Sequence, residues 1–281
     1  MKRLLILLSL LITFSFIIVF TVFSYGIPVK SSPKRTSSSK NETITYNKNV
    51  TSFESSAVCK LIIRKGNSPK VEIHGPKAYL DITDFTFSNG RMSMKFKQNL
   101  SNTNNVDITV VLTQPKIENI RIMGVSDISG GGDFSNSNLN ITIDGVADCR
   151  LTDLKCQSLS YTINGSCSAT LSGNANKTSL TINGIGSIDA FNFIAPETNA
   201  YINGSGEIEC FASKMLSADV HGLGNIYYKG NPLKVKTNRE SSKVINRGSS
   251  SNRKTESRSK KSTRTERHEE PERSSKPILV L

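Results

Sequence analysis

The chain has no tryptophan, and aromatic residues make up only 7% of its 281 positions. A core built around large rings is therefore excluded, and Ile, Leu and Val must supply the buried apolar volume. The shortage also argues against a single-stranded nucleic-acid surface, which needs aromatic side chains between its basic ones. Only three histidines occur, His74, His221 and His268, and none has Glu or Cys at the spacing a metal centre uses. No Gly-x-Ser-x-Gly elbow and no C-x-x-C pair is present. The cysteines are Cys59, Cys149, Cys156, Cys167 and Cys210, an odd set of five that cannot all pair within one chain.

Long apolar runs are also scarce, and the one that stands out is at the start. Met1-Lys2-Arg3 precedes an apolar stretch from Leu4 to Phe23, the pattern of an export signal. Its length is close to the ~20 residues a bilayer-crossing helix needs. Two readings of residues 1–26 follow: a signal peptide cut near Ile27, after the small residues Ser24 and Gly26, or an uncleaved membrane anchor. No Cys near the end of the run suggests a lipid attachment. Residues 27–43 are a Ser/Pro/Lys-rich linker. The formal charge of +13 is concentrated at the other end, where residues 236–281 hold 13 Lys and Arg against 6 Glu. Almost no apolar residue occurs between 238 and 276, so the basic segment 237–281 is expected to be disordered.

Between these ends, Gly, Asn, Ser and Thr are frequent, which favours short strands and tight turns. Val106, Ile108, Val110 and Leu112 alternate as in a strand, and Asn89-Gly90 between Phe85–Phe87 and Met92–Phe96 predicts a hairpin. From residue 117 the pattern becomes periodic. A glycine recurs at 124, 145, 165, 184, 204 and 222, at intervals of 21, 20, 19, 20 and 18 residues. Two positions before it stand Ile122, Ile143, Ile163, Ile182, Ile202 and Val220; four after it stand Ile128, Cys149, Ala169, Ile188, Ile208 and Ile226. Two after it every residue is small: Ser126, Ala147, Cys167, Gly186, Gly206 and Gly224.

This periodicity predicts an all-β fold, a right-handed parallel β-helix of ~20-residue coils, with repeat coils over 117–232 of a domain spanning 44–236. Short and antiparallel strands precede the coils. Like positions stack at the ~4.8 Å strand spacing, so the branched columns fill the interior and the small column marks a tight corner. Cys149 and Cys210 fall in interior columns and read as packing residues. The residue before each glycine is Asp144, Asn164, Asn183, Asn203 or His221 from the second copy on. Tolerance of left-handed backbone would suit Asn and Asp to such a turn. The G-x-G steps at 184–186, 204–206 and 222–224 repeat without a helix behind them, so they are structural and not a dinucleotide site.

The units Ile163-Asn164-Gly165, Ile182-Asn183-Gly184-Ile185-Gly186 and Ile202-Asn203-Gly204-Ser205-Gly206 resemble the head GIN domain family of autotransporter adhesins. The ending His221-Gly222-Leu223-Gly224-Asn225-Ile226-Tyr227-Tyr228 with Gly230-Asn231-Pro232 is similar to that family's, as are the opening strands around Val71-Glu72-Ile73. The resemblance covers roughly residues 46–232. It implies a β-helical exported protein of Bacteroidetes-type bacteria and brings no catalytic residues with it.

No catalytic residue, cofactor or metal site is expected. The candidates for cation or ligand contact are outward carboxylates that should stack in pairs, Asp127 with Asp148 and Asp189 with Glu209. The expected function is a non-enzymatic cell-envelope or secreted adhesin-like module. It would bind a glycan, an envelope polymer or a protein through exposed faces, with contact between the basic tail and anionic polymers. A periplasmic self-assembling scaffold and a polysaccharide-active enzyme are the alternatives. No specific nucleic-acid partner is expected. The expected location is the periplasm, the outer-membrane surface or the exterior.

Overall fold

The computed structural model describes residues 40–98, 106–237 and 243–248. The expected signal or anchor, most of the expected linker and nearly all of the basic segment 237–281 lie outside the described residues. Among the described residues no helix is long and apolar enough to cross a membrane.

The strands run in chain order β1 (Asn41–Tyr46), β2 (Ser52–Ser55), β3 (Val58–Lys65) and β4 (Lys70–Pro76), then a single helical turn α1 (Lys77–Leu80). Next come β5 (Thr83–Ser88), β6 (Arg91–Phe96), β7 (Thr109–Gln114), β8 (Asn119–Ile122) and β9 (Val125–Gly131). The long strands β10 (Asp133–Ile143) and β11 (Val146–Ile163) follow, then β12 (Ser166–Asn174), β13 (Lys177–Ile182), β14 (Ile185–Ile194) and β15 (Glu197–Ile202). The chain finishes with β16 (Ser205–Phe211), β17 (Met215–Val220), β18 (Leu223–Lys229), β19 (Lys234–Thr237) and β20 (Val244–Asn246).

These strands build a parallel β-solenoid of about six turns. One face stacks β8, the second half of β10, the second half of β11, β13, β15, β17 and β19, all parallel. A second face stacks β9, the first half of β11, β12, β14, β16, β18 and β20. The repeating glycine is the corner between them. The strand register pairs each column member with its counterpart one turn on, for example Ile163 with Ile182 and Ile188 with Ile208. Both predicted interior columns are buried throughout, with every member at 3% exposure or less. Cys149 and Cys210 are among the buried core side chains, as expected for packing residues.

Close approach, and not left-handed backbone, accounts for the corner glycines. None of them has positive φ, nor do Asp144, Asn164, Asn183, Asn203 and His221; the non-glycine positive-φ residues described are Asn89 and Asp153. The left-handed explanation for the Asn/Asp column is therefore incorrect. The glycines are required by close approach: a Cβ on Gly145, Gly165, Gly184, Gly204 or Gly222 would lie 1.8–2.1 Å from the carbonyl oxygen of the glycine one turn earlier. That separation is far inside van der Waals contact, so the corner stacks backbone on backbone.

The solenoid begins earlier than the 20-residue period reveals. β2 and β3 lie parallel on β8 and β9, placing Ser55 beside Ile122, Cys59 beside Ser126 and Leu61 beside Ile128. They form a coil whose return to the stack is delayed by the excursion through residues 66–118. Within it, β6 adds to β2 and β7 adds to β3, both in parallel. The sheet then turns antiparallel, β5 on β6 and β4 on β7, with β1 on β4. The β5–β6 turn holds Asn89 at φ 49° and Gly90 at φ 72°, the conformation expected of an Asn-Gly hairpin. α1 buries Tyr79 and Leu80 against the same core. At the other end the strands outlast the repeat: β20 pairs with β18 beyond Lys236, where the sequence pattern stops.

All five cysteines are free and buried. Burial pushes the thiols of Cys149, Cys156 and Cys210 up to about 12. The native protein should therefore show no reaction with Ellman's reagent at mildly alkaline pH, and five thiols per chain in guanidinium. A fast native thiol would contradict this packing. At the corner, Gly184→Ala should lower unfolding free energy in urea by about 1–3 kcal/mol. The exposed neighbour Ser166→Ala should stay within about 0.5 kcal/mol of the parent.

Candidate functional site: the outward faces of the solenoid

Strand alternation sends every second residue outward, and stacking turns those residues into columns. On the second face the register places Asp127 directly beside Asp148, and Asp189 directly beside Glu209. The sequence-predicted carboxylate pairs are thus neighbours, but the two pairs lie at different levels of the stack and in different columns. Among the described residues no group of three or more His, Cys, Asp or Glu is arranged to hold a metal ion. The Asp189–Glu209 pair has a basic partner that sequence reading missed. Arg247 Nη1 lies 2.8 Å from Glu209 Oε1, and its guanidinium stacks 3.5 Å over the Tyr227 ring. Arg247 follows β20, and only the pairing of β20 on β18 brings it there. Partial burial and the neighbouring Asp189 raise the Glu209 carboxyl above its usual range, with Arg247 opposing them.

The corner carries a second ordered array. Asn203 Nδ2 donates to Asn183 Oδ1 at 2.9 Å, Asn183 Nδ2 to Asn164 Oδ1 at 2.8 Å, and Asn164 Nδ2 to Asp144 Oδ1 at 2.7 Å. Every amide donates in one direction, and the column ends on a carboxylate, the strongest acceptor available. Arg121 Nε closes it, 2.7 Å from Asp144 Oδ2. This ladder explains the residue type before each glycine. The last member, His221, donates its backbone N–H to Ile202 as Asn203 does to Ile182, and pairs its Nε2 with Asp219 at 2.8 Å.

The first face differs in chemistry. One outward column runs Asn119, Asn140, Ser160, Ser179, Asn199 and Ser217. The column beside it runs Arg121, Thr142, Thr162, Thr181, Tyr201 and Asp219. Across four successive turns these two columns carry hydroxyls and amides and no charge. Where β2 and β6 continue the sheet, the face meets a recess of about 270 Å³. Its walls include Glu54, Arg91, Asn119, Arg121 and Asn140. Both arginines are engaged, Arg91 with Glu54 at 3.6 Å and Arg121 with Asp144. Sequence reading named outward carboxylates of the second face alone and did not single out this face.

A family model described as putative auto-transporter adhesin, head GIN domain, matches residues 50–232. The chain belongs to this family. Among curated proteins no sequence relative is found. Among solved structures, an adhesin so described from Bacteroides fragilis NCTC 9343 is similar to the head GIN chain with a TM-score of 0.64 and 23% identity. That match covers 77% of this chain and 99% of the other. Another from Parabacteroides merdae ATCC 43184 superposes with a TM-score of 0.50 at 18% identity, over 74% and 96% of the two chains. At these identities the likeness is one of fold. The family is that of a cell-envelope or surface adhesin.

The Asn ladder makes a pH prediction. The Asn164 amide and then the Arg121 guanidinium hold the Asp144 carboxyl below the usual range. A folded-state pKa below the unfolded one contributes stability above the unfolded value and loses it as pH falls through the folded one. Asp144→Asn should remove that contribution, up to about 1 kcal/mol near neutrality, and flatten the acid limb of a stability–pH curve. An unchanged acid limb in urea titrations would show that the ladder's terminal charge is not linked to folding.

Proposed function

We propose that this head GIN domain is a non-enzymatic binding module of the cell envelope or exterior, engaging a glycan or protein through its outward solenoid faces. The observation that carries the reading is geometric. Backbone-on-backbone stacking fixes outward side chains in straight columns over several turns. A surface so rigid is organised before its ligand arrives and loses little conformational entropy on contact. Membership of an adhesin family supports the same reading. The open end of the stack favours a second one, a self-associating envelope scaffold. Among the described strands, β19 pairs with β17 and β20 with β18, so each leaves one edge free for another strand.

Cells producing the full chain provide the test. An amine-reactive biotin reagent that does not cross membranes should label the exposed Lys155 and Lys177 on intact cells, and deletion of the domain should reduce attachment to a host or matrix surface. Labelling only after lysis, with attachment unchanged, would remove the adhesin reading. Concentration-dependent growth in light scattering would then favour the scaffold.

A further inference from the structure

We infer that the ligand of this domain is an uncharged glycan chain, lying along the hydroxyl and amide columns of the first face with one ring in the Arg91–Asn119–Arg121 recess. This rests on the binding-module reading and names the face and the ligand chemistry within it.

Charge is spread unevenly over the two faces. Charged residues make up 21% of the chain. Even so, the two central columns of the first face carry none from Asn140 and Thr142 through Asn199 and Tyr201. The second face, by contrast, carries Asp127, Asp148, Asp189, Glu207 and Glu209 among its outward residues. Beside those columns the flanking outward column sets Lys177 next to Glu197, so over these four turns a polyanion meets no unmatched counter-charge on the first face, whereas the second presents it with carboxylates. A neutral partner on the two central columns desolvates no charge there.

Hydrogen-bonding capacity points the same way. Each Ser or Thr hydroxyl donates one bond and accepts two, and each Asn amide does both. A sugar ring presents that same mixture around its edge. Side chains repeat about every 4.8 Å up the stack and about 6.6 Å along each strand, which gives a grid of interchangeable donors and acceptors. The β-branched Thr142, Thr162 and Thr181 have few rotamers to lose on binding. Tyr201 sits at the end of the threonine column, half-buried, with its hydroxyl 3.4 Å from Ser217 Oγ. Its ring offers the apolar face of a pyranose a surface to pack on.

The recess at the opposite end has the character of a ring-sized pocket. It combines the Arg91 and Asn119 donors with the Glu54 acceptor. Its two arginines are balanced by Glu54 and Asp144, so an acidic sugar finds no unmatched cation there.

The test is affinity electrophoresis of the full chain in gels containing dextran, mannan or xyloglucan, with heparin and polygalacturonate as polyanions. At least one neutral polysaccharide should retard migration, equally at low and high salt. Thr162→Arg and Ser179→Arg should each weaken that retardation about tenfold or more. Thr162→Ser and the second-face change Ser168→Arg should leave it unchanged. Cooperative urea unfolding of every variant separates lost binding from lost fold. Retardation by polyanions alone, abolished by salt, overturns the inference and assigns binding to the basic tail. Neutral retardation that survives Thr162→Arg overturns the placement on this face. If no gel retards the chain while intact cells still attach through the domain, the binding-module reading stands without the glycan, and a protein partner takes its place.

Discussion

The close approach of successive turns at the glycine corner is the constraint from which the rest of the structure follows. Gly145, Gly165, Gly184, Gly204 and Gly222 each sit where a Cβ would meet the preceding glycine's carbonyl oxygen. With that corner closed, the strands on both sides keep a constant register, and the inward Ile columns stack in line. A single larger residue there would push neighbouring turns away from each other, and the displacement would pass into the hydrogen bonds of both faces. Every coil depends on its neighbours in this way, because none can bury its own apolar face.

The same alignment gives the outside its properties. Identical register from turn to turn lets Asn203, Asn183 and Asn164 pass hydrogen bonds along one line to Asp144. It also converts scattered polar residues into faces of different character. One has two central columns of hydroxyls and amides without charge over four turns, and the other carries Asp127, Asp148, Asp189, Glu207 and Glu209. No single residue makes either face a site. What is available for recognition is a repeated surface, suited to an extended partner more than to a small molecule in a pocket.

A solenoid must also end, and the two ends are handled differently. The N-terminal end changes from parallel to antiparallel pairing through β4–β7 and β5–β6, and α1 packs Tyr79 and Leu80 against the core. The C-terminal end continues through β19 and β20, where Arg247 bridges back to Glu209 and Tyr227. That bridge neutralises some of the negative charge of the Asp189–Glu209 pair, which the sequence presented as two carboxylates without a cation.

The sequence by itself determined the period, the interior columns, the Asn-Gly hairpin and the carboxylate neighbours. All of these are local or repeat at one short interval, so spacing alone exposes them. It pointed correctly to the glycines but gave the Asn/Asp column before them the wrong physical reason, since a residue kept for left-handed backbone and one kept for a side-chain ladder look the same in a sequence. Tertiary structure decided the rest. The coil of β2 and β3 is invisible to a 20-residue period because Leu61 meets Ile128 across an inserted excursion. Arg247 reaches Glu209 only once β20 has docked on β18. The two uncharged central columns exist only when residues from separate turns are stacked side by side. These features depend on contacts between distant segments of the chain, and the fold alone sets which distant segments meet.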